Sequence, residues 1–250
     1  MDALTVGVDS LRLRNFDAVA FDLEGTLANT IPTHRAARMR AFVEHGYGHI
    51  SREEHERGPL YGSSTFDIIG GVLHAAGEIA DGIPFKDHFA VQQLAATKAR
   101  LFEELSLDGF SEMPGAVAFG RDILAHFPGK AALVTTALKG VAAAFLNRYG
   151  LLQYFPAHLV ITEETVIAKG LENKPAPDPY CLAMRRMRSH KLLVFEDTVP
   201  GVASAKRAGA TVIALGFDQH NAEQFLSGML QLPPDAFAPD YRAARELLDL

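Results

Sequence analysis

From residue 113 onward, short apolar runs alternate with segments that carry helical signals. Alternation of this kind predicts a parallel sheet, because parallel neighbours must be joined by crossover segments, which are usually helices. One more apolar run, at residues 18–21, is separated from the others by a long helical block. We therefore predict an α/β domain that is interrupted by an inserted helical domain. The later candidate strands are residues 131–135, 158–162, 192–195 and 211–214.

The helical block between these runs contains few strand signals. Residues 33–44, 66–76 and 89–105 are rich in Ala, Leu, Met, Gln and Arg, with apolar residues spaced for one helix face. We place the domain boundaries so that residues 1–28 and 113–250 form the α/β core and residues 29–112 form the insertion. A further helix is predicted at 221–230.

Bulk composition excludes several classes of protein. With 250 residues, 48% of them hydrophobic, the chain can bury a sizeable core. A formal net charge of −6 argues against a general nucleic-acid binder. We expect no membrane span, since no stretch approaches 18 apolar residues, and a cytoplasmic location, since the start does not resemble a signal peptide. The single cysteine, Cys181, is predicted to be buried on a helix face.

Two carboxylates follow the first apolar run. Asp22 comes directly after it and Glu24 lies two residues further on, so in an extended stretch both side chains point the same way. Ligands of open α/β sheets bind at the carboxyl ends of the strands. Two carboxylates there favour a hard cation such as Mg²⁺, and Gly25 allows a tight turn. The alternative is an acidic loop without a ligand.

Three other segments place polar residues at or near predicted strand ends. Thr135 and Thr136 close one strand, where a hydroxyl can bind a phosphate oxygen. Lys174 is followed by two prolines that stiffen its loop, and a fixed lysine can orient a nucleophile and offset phosphate charge. Glu196 and Asp197 close another strand, where burial of two acids is costly without a cation or donors.

In order along the chain, FDLEGT, LVTT, KPAPDPY and FEDTVPG resemble the four motifs of the haloacid dehalogenase (HAD) superfamily. The resemblance extends over nearly the whole chain and implies a Rossmann-like core. The insertion is similar in place and character to the helical cap of the β-phosphoglucomutase and phosphoglycolate phosphatase-like branch. The resemblance implies a phosphoryl-transfer enzyme with Mg²⁺ as its cofactor.

The family also implies roles for individual residues. Asp22 would be the nucleophile that forms an aspartyl-phosphate, and Glu24 would stand at the acid/base position. Thr135 and Lys174 would hold the phosphoryl oxygens. The metal would be bound by Asp22, by the backbone carbonyl of Glu24 and by Asp197, with Glu196 bound directly or acting through a neighbour. The candidates for substrate binding are Thr136, His34, Gly62, Thr65 and Lys98.

The chain departs from the family pattern at two positions that affect function. Glu24 stands where Asp is usual, which keeps the carboxyl chemistry but moves it by about 1–1.5 Å. A misplacement of about 1 Å can cost about 10²-fold in rate. Thr65 stands where β-phosphoglucomutase has an Arg that can hold a second phosphate, which argues against a bisphosphate intermediate. Lys98 matches a cap lysine of the mutase, although a solvated helix face would explain it as well.

These observations predict a Mg²⁺-dependent phosphatase acting on a small phosphomonoester, which we expect to be a sugar or polyol phosphate. One alternative is a phosphosugar mutase of the β-phosphoglucomutase type. A second is a binding or regulatory protein with weak catalysis, suggested by Glu24. The expected partner is a small phosphorylated substrate, without nucleic acid or membrane, and the protein is expected to be a monomer or homodimer.

Overall fold

A computed structural model describes residues 11–56, 65–80, 82–106, 109–216 and 232–250. The chain divides into two compact units. The first, which we call the sheet unit, comprises Met1–Asn29 and Phe110–Leu250, and the second, the helical unit, comprises Thr30–Gly109. The first boundary lies one residue later than the predicted boundary, and the second lies three residues earlier. That the helical unit acts as a cap stays a prediction.

Six parallel strands form the sheet, in the order β5-β4-β1-β6-β7-β8. Strand β1 is flanked on both sides, with Phe21 paired to Leu133 and to Phe195. Its four residues are fully buried, as expected for a parallel sheet covered on both faces. The predicted α/β class with a parallel sheet is confirmed. The strands are β1 (Ala18–Phe21), β4 (Ala131–Val134), β5 (Val160–Ile161), β6 (Leu192–Glu196), β7 (Thr211–Leu215) and β8 (Ala236–Ala238).

Helices alternate with these strands, as the sequence pattern predicts. One core cluster packs the sheet residues Ala20, Val134 and Val194 against Tyr180 and Leu182 of a helix. The burial of these apolar side chains holds the strand tips in register. The helices of the sheet unit are α5 (Ala116–Ala125), α6 (Lys139–Arg148), α7 (Glu163–Ala168), α8 (Asp178–Met187), α9 (Val199–Arg207) and α10 (Tyr241–Leu247).

The helical unit has its own core. Helices α1 and α4 carry Ala37, Phe42, Val91 and Leu94 into it, and helix α3 adds Leu73. The predicted helices at 33–44, 66–76 and 89–105 are found within two residues of their predicted ends. The helices of this unit are α1 (Ile31–Glu44), α2 (Arg52–Glu56), α3 (Thr65–Ala75) and α4 (Phe89–Ser106).

A short antiparallel ribbon marks the points where the chain leaves and re-enters the sheet unit. Strand β2 (Ala28–Asn29) pairs with strand β3 (Ser111–Glu112), so that Asn29 lies opposite Ser111. Neither strand was predicted, because two residues are too short for a sequence pattern. Within the described residues, no helix combines the length and apolar character that crossing a bilayer requires.

Two other sequence-based expectations concern Cys181 and a helix at residues 221–230. The predicted buried position of Cys181 is wrong, because the residue is exposed on α8. Its neighbours Tyr180 and Leu182 are buried, so the helix face that meets the core runs beside the cysteine. The predicted helix at 221–230 lies outside the described residues.

Candidate active site

Asp22 occupies the carboxyl end of the central strand β1. Its backbone N–H donates to the carbonyl of Phe195 at 3.0 Å, which continues the sheet pairing by one residue. The side chain is buried, because the next residues fold back over the strand end. Gly25 donates to the carbonyl of Ala28 at 2.8 Å, and it adopts a φ of +83°, a conformation that L side chains rarely adopt. The FDLEGT motif therefore places the Asp22 carboxylate at the start of a tight turn.

Lys174 reaches this carboxylate from the loop before α8. Its ammonium donates to Asp22 Oδ1 at 2.6 Å, to Glu196 Oε1 at 2.6 Å and to the Val134 carbonyl at 2.9 Å. These three acceptors match the three donors of an ammonium group. Burial lowers the pKa of Lys174, but the carboxylates of Asp22 and Glu196 outweigh it and hold that pKa above its ordinary value. The lysine is therefore a fixed, buried cation.

Glu196, the last residue of β6, is fully buried and accepts hydrogen bonds on both oxygens. Oε1 accepts from Lys174 and from the Tyr180 hydroxyl at 2.7 Å. Oε2 accepts from the Thr198 hydroxyl at 3.2 Å and from the backbone amides of Asp197 and Thr198 at 3.2 and 3.4 Å. Burial raises the pKa of Tyr180 well above its ordinary value, so this hydroxyl remains protonated and able to donate.

Asp197 lies next to Glu196 and faces the turn after β1. Its Oδ1 accepts a hydrogen bond from the Thr26 hydroxyl at 3.2 Å. A methyl group on Gly25 would overlap the Asp197 carboxylate, so the turn and this acid are closely fitted. Residues 171 positions apart in sequence are thus joined at one strand end.

The carboxylates of Asp22, Glu196 and Asp197 form a compact acidic cluster. One ligand atom from each lies within 4.8 Å of the others. Burial raises the pKa of Asp22 to about 8 in spite of Lys174, and burial together with Asp22 and Glu196 raises the pKa of Asp197 well above its ordinary range. Burial is the largest cause of both shifts, because a charged carboxylate is disfavoured where water is excluded. Carboxylate oxygens are ligands of choice for Mg²⁺, so the cluster fits a divalent cation.

The other predicted residues of the sheet unit lie at neighbouring strand ends. Thr135 directly follows β4 and is buried, with its hydroxyl accepting from the Ala137 amide at 3.0 Å. Thr136, the next residue, is exposed. Glu24 is half-buried in the turn after β1, and its carboxylate contributes to the raised pKa of Asp22.

The predicted substrate residues of the helical unit form a separate group. Lys98 Nζ lies 2.9 Å from His34 Nδ1, and the His34 ring stacks on Phe102 with centroids 3.9 Å apart. Lys98 and Thr65 line one cavity of about 460 Å³. Lys98 therefore contacts protein groups as well as solvent, and its role in substrate binding stays a prediction. Gly62 lies outside the described residues.

Sequence inspection missed Tyr180 and Thr26 as members of the site. Tyr180 is six residues after Lys174, and the Lys174 ammonium lies 5.3 Å from the centre of its ring. An aromatic residue in the first turn of a helix reads as core packing, and nothing local indicates that its hydroxyl reaches Glu196. Thr26 follows Gly25 directly, so its position beside the acids could have been proposed from the turn.

Comparison with known proteins identifies the family of this chain. A model of the haloacid dehalogenase-like hydrolase family matches residues 16–209. Fructose-1-phosphate phosphatase YqaB of Escherichia coli is 27% identical over 202 residues, which cover 79% of this chain and 95% of that protein. The phosphorylated carbohydrates phosphatase of Thermotoga maritima is 31% identical over 197 residues, covering 77% of this chain and 82% of that protein.

A solved structure shows the same fold. The crystal structure of a HAD hydrolase, family IA, variant 3, from Entamoeba histolytica superimposes with a TM-score of 0.64 at 24% identity, covering 93% of this chain and 98% of that one. The predicted family is confirmed, and the phosphatase relatives support the predicted class of enzyme, a hydrolase of phosphoric monoesters. The chain belongs to the haloacid dehalogenase-like hydrolase family.

Proposed function

We propose that the chain is a Mg²⁺-dependent phosphatase that transfers the phosphoryl group of a small metabolite first to Asp22 and then to water. The observation that supports this most directly is the 2.6 Å contact between Lys174 Nζ and Asp22 Oδ1, two buried groups at the acidic cluster. The contact fixes one carboxylate oxygen and leaves the other to act as the nucleophile. A buried nucleophile held by a cation is typical of enzymes that work by positioning and charge stabilisation.

The metal would be held by the carboxylates of Asp22 and Asp197 and by the backbone carbonyl of Glu24. Bound there, Mg²⁺ would polarise the phosphoryl oxygens and offset the negative charge of the cluster. The compact arrangement of the carboxylates supports this assignment, because one oxygen of Asp22 and one of Asp197 belong to a group of ligand atoms that lie within 4.8 Å of one another.

The protein residues would then carry out two displacements. An oxygen of Asp22 attacks phosphorus while the bond from phosphorus to the leaving oxygen breaks, and Glu24 gives its proton to that oxygen. Glu24 next takes a proton from water, whose oxygen attacks phosphorus and releases Asp22 as a free carboxylate. Lys174 and the Thr135 hydroxyl would bind the phosphoryl oxygens as charge builds on them.

The substrate would be a sugar or polyol phosphate. The named activities of the two relatives, on fructose 1-phosphate and on phosphorylated carbohydrates, support this class. The helical unit would supply the remaining contacts through His34, Thr65, Lys98 and Gly62, with Thr136 contributing from the sheet unit. A cytoplasmic location and a monomer or homodimer stay predictions.

The test is a screen of phosphorylated metabolites with purified protein and Mg²⁺, scored by release of inorganic phosphate. We expect release from at least one sugar or polyol phosphate, and loss of it in the Asp22→Asn variant, since an amide oxygen is a poor nucleophile. Hydrolysis by Asp22→Asn at the wild-type rate would contradict the proposed nucleophile.

Two outcomes would point to the alternatives. Formation of glucose 6-phosphate from glucose 1-phosphate and a bisphosphate primer, without net phosphate release, would indicate a mutase. If the wild type hydrolysed p-nitrophenyl phosphate no faster than the Asp22→Asn variant, this would indicate a binding or regulatory protein.

A further inference from the structure

Glu196 differs from the other two carboxylates of the acidic cluster in how it is hydrogen bonded. Five donors point at its two oxygens: the Lys174 ammonium, the Tyr180 and Thr198 hydroxyls, and the backbone amides of Asp197 and Thr198. An ionised carboxylate offers about four lone-pair positions. Its acceptor capacity is therefore filled by protein groups.

The carboxylates of Asp22 and Asp197 accept fewer hydrogen bonds from protein groups than Glu196 does. Within the described part of the chain, the Asp22 carboxylate accepts from Lys174 and the Asp197 carboxylate accepts from Thr26. Each of these acids keeps lone pairs for another ligand. The cluster thus consists of two carboxylates that can bind a cation and one that is already saturated.

The backbone also holds the Glu196 side chain in its present position. A methyl group on Gly201 would overlap the Glu196 carboxylate, so the carboxylate occupies the space that a side chain of α9 would fill. It lies against the N-terminal turn of α9, where the helix dipole and the free amides favour an anion. Any rotation toward a metal would break these bonds.

Tyr180 contacts both partners of the resulting ion pair. Its hydroxyl donates to Glu196 Oε1 at 2.7 Å, and its ring lies under the Lys174 ammonium at 5.3 Å. The Lys174 ammonium lies 2.6 Å from both Glu196 and Asp22. The position of Tyr180 therefore governs where the cation next to Asp22 is held.

We propose that Tyr180 is a positioning residue that fixes Glu196 as the anchor of Lys174, and that Glu196 is not a ligand of the metal. The metal set would be Asp22, Asp197 and the Glu24 carbonyl. This inference rests on the proposed function, because it assigns roles within the same site. It narrows the earlier expectation that Glu196 binds the metal directly or through a neighbour.

The first test counts the water ligands of bound Mn²⁺, by electron paramagnetic resonance in ¹⁷O-labelled water. Glu196→Gln and Tyr180→Phe should show the same number of water ligands as the wild type, whereas Asp197→Asn should gain one. A gain of one water in Glu196→Gln would overturn the inference while leaving the proposed function intact. A wild type that binds no Mn²⁺ would contradict the proposed function and the inference together.

The second test separates positioning from folding. Tyr180→Phe should lower kcat for p-nitrophenyl phosphate about tenfold with KM changed less than twofold, because Lys174 acts mainly on charge that develops in the transition state. Ser189→Ala is the matched control. It removes a hydroxyl bond to a carboxylate, that of Asp17 at 2.5 Å, next to the other end of β1, and should leave kcat unchanged.

A kcat for Tyr180→Phe within twofold of the wild type would overturn the positioning role. If Tyr180→Phe does not fold, Gly201→Ala gives an independent answer, because its methyl group would push the Glu196 carboxylate out of its hydrogen bonds, and the three atoms nearest to that methyl group all belong to the Glu196 side chain. We expect a loss of about tenfold in kcat for this variant also, and an unchanged kcat would overturn the inference.

Discussion

The carboxylate of Asp197 covers the α-carbon of Gly25, leaving no space there for a side chain. The two residues lie 172 positions apart in the chain, one in the turn after β1 and the other after β6. Close packing of Gly25 against this candidate metal ligand adds to the hydrogen bond that Thr26 of the same turn donates to it. Gly25 is therefore part of the site although it carries no functional group.

Replacing Gly25 with Ala should weaken divalent-metal binding by about 10–100-fold, the range seen when groups supporting a metal ligand are removed. The methyl group would displace Asp197, and the φ of +83° adds strain of about 1–2 kcal/mol. Calorimetric titration with Mg²⁺ measures the first effect. Gly129→Ala is the control, because Gly129 has a φ of +70° with nothing near its α-carbon. Equal metal affinities in the two variants would contradict the prediction.

Shortening Glu24 to Asp should preserve turnover or increase it. The substitution keeps a carboxyl group of similar intrinsic pKa and leaves the backbone carbonyl in place. Measured kcat values for wild type and Glu24→Asp on one substrate test this. A decrease of a thousandfold or more would show that the site is built around the longer side chain.

The apo protein should lose stability as pH rises. The pKa of Asp22 is raised by burial from 3.8 to about 8, so the folded state holds a proton that the unfolded chain releases near pH 4. The contribution of Asp22 to stability is complete below pH 3.8, declines between pH 3.8 and about pH 8, and is lost above that pH. Mg²⁺ should reverse the loss, so the Mg²⁺-induced increase in Tm should grow from pH 5 to pH 8. The increase should be smaller in Asp22→Asn, and an increase independent of pH would contradict this.

Replacing Lys98 with Met should raise KM for the best substrate about tenfold or more with a smaller effect on kcat. Lys98 is paired with His34 and lines the cavity of the helical unit, where a cation can bind a substrate oxygen. Lys86→Met is the control, since Lys86 is exposed elsewhere on the same unit. Equal KM values for both variants would place Lys98 outside the substrate site.

The parts of this structure that follow from local pattern could be predicted, and those that depend on distant contacts could not. Five of the six strands described for the sheet were predicted, because continuous apolar sequence requires burial. Strand β8 was missed because Ala236–Ala238 is three residues long and follows two prolines. It is held by pairing with β7, next to Asp235, whose carboxylate accepts from Lys206 and from the Val212 amide.

The candidate site also contains residues that local pattern predicts and a contact that depends on distant parts of the chain. Asp22 and Asp197 could be proposed because each lies at the end of an apolar run, and Lys174 because two prolines stiffen the loop after it. The structure brings all three together. The hydrogen bond between Tyr180 and Glu196 joins two elements, and its geometry depends on how α8 packs on the sheet. No spacing in the sequence carries that information.

The pairing of Asn29 with Ser111 makes the exit and return of the chain adjacent on the sheet unit. The intervening 80 residues, Thr30–Gly109, are thus inserted as a cassette between two neighbouring backbone positions. This adjacency predicts that another insert can replace this one while the ends of β1, β4 and β6 keep their positions. The same chemical centre could in this way be combined with new recognition surfaces, in evolution and in the design of chimeric enzymes.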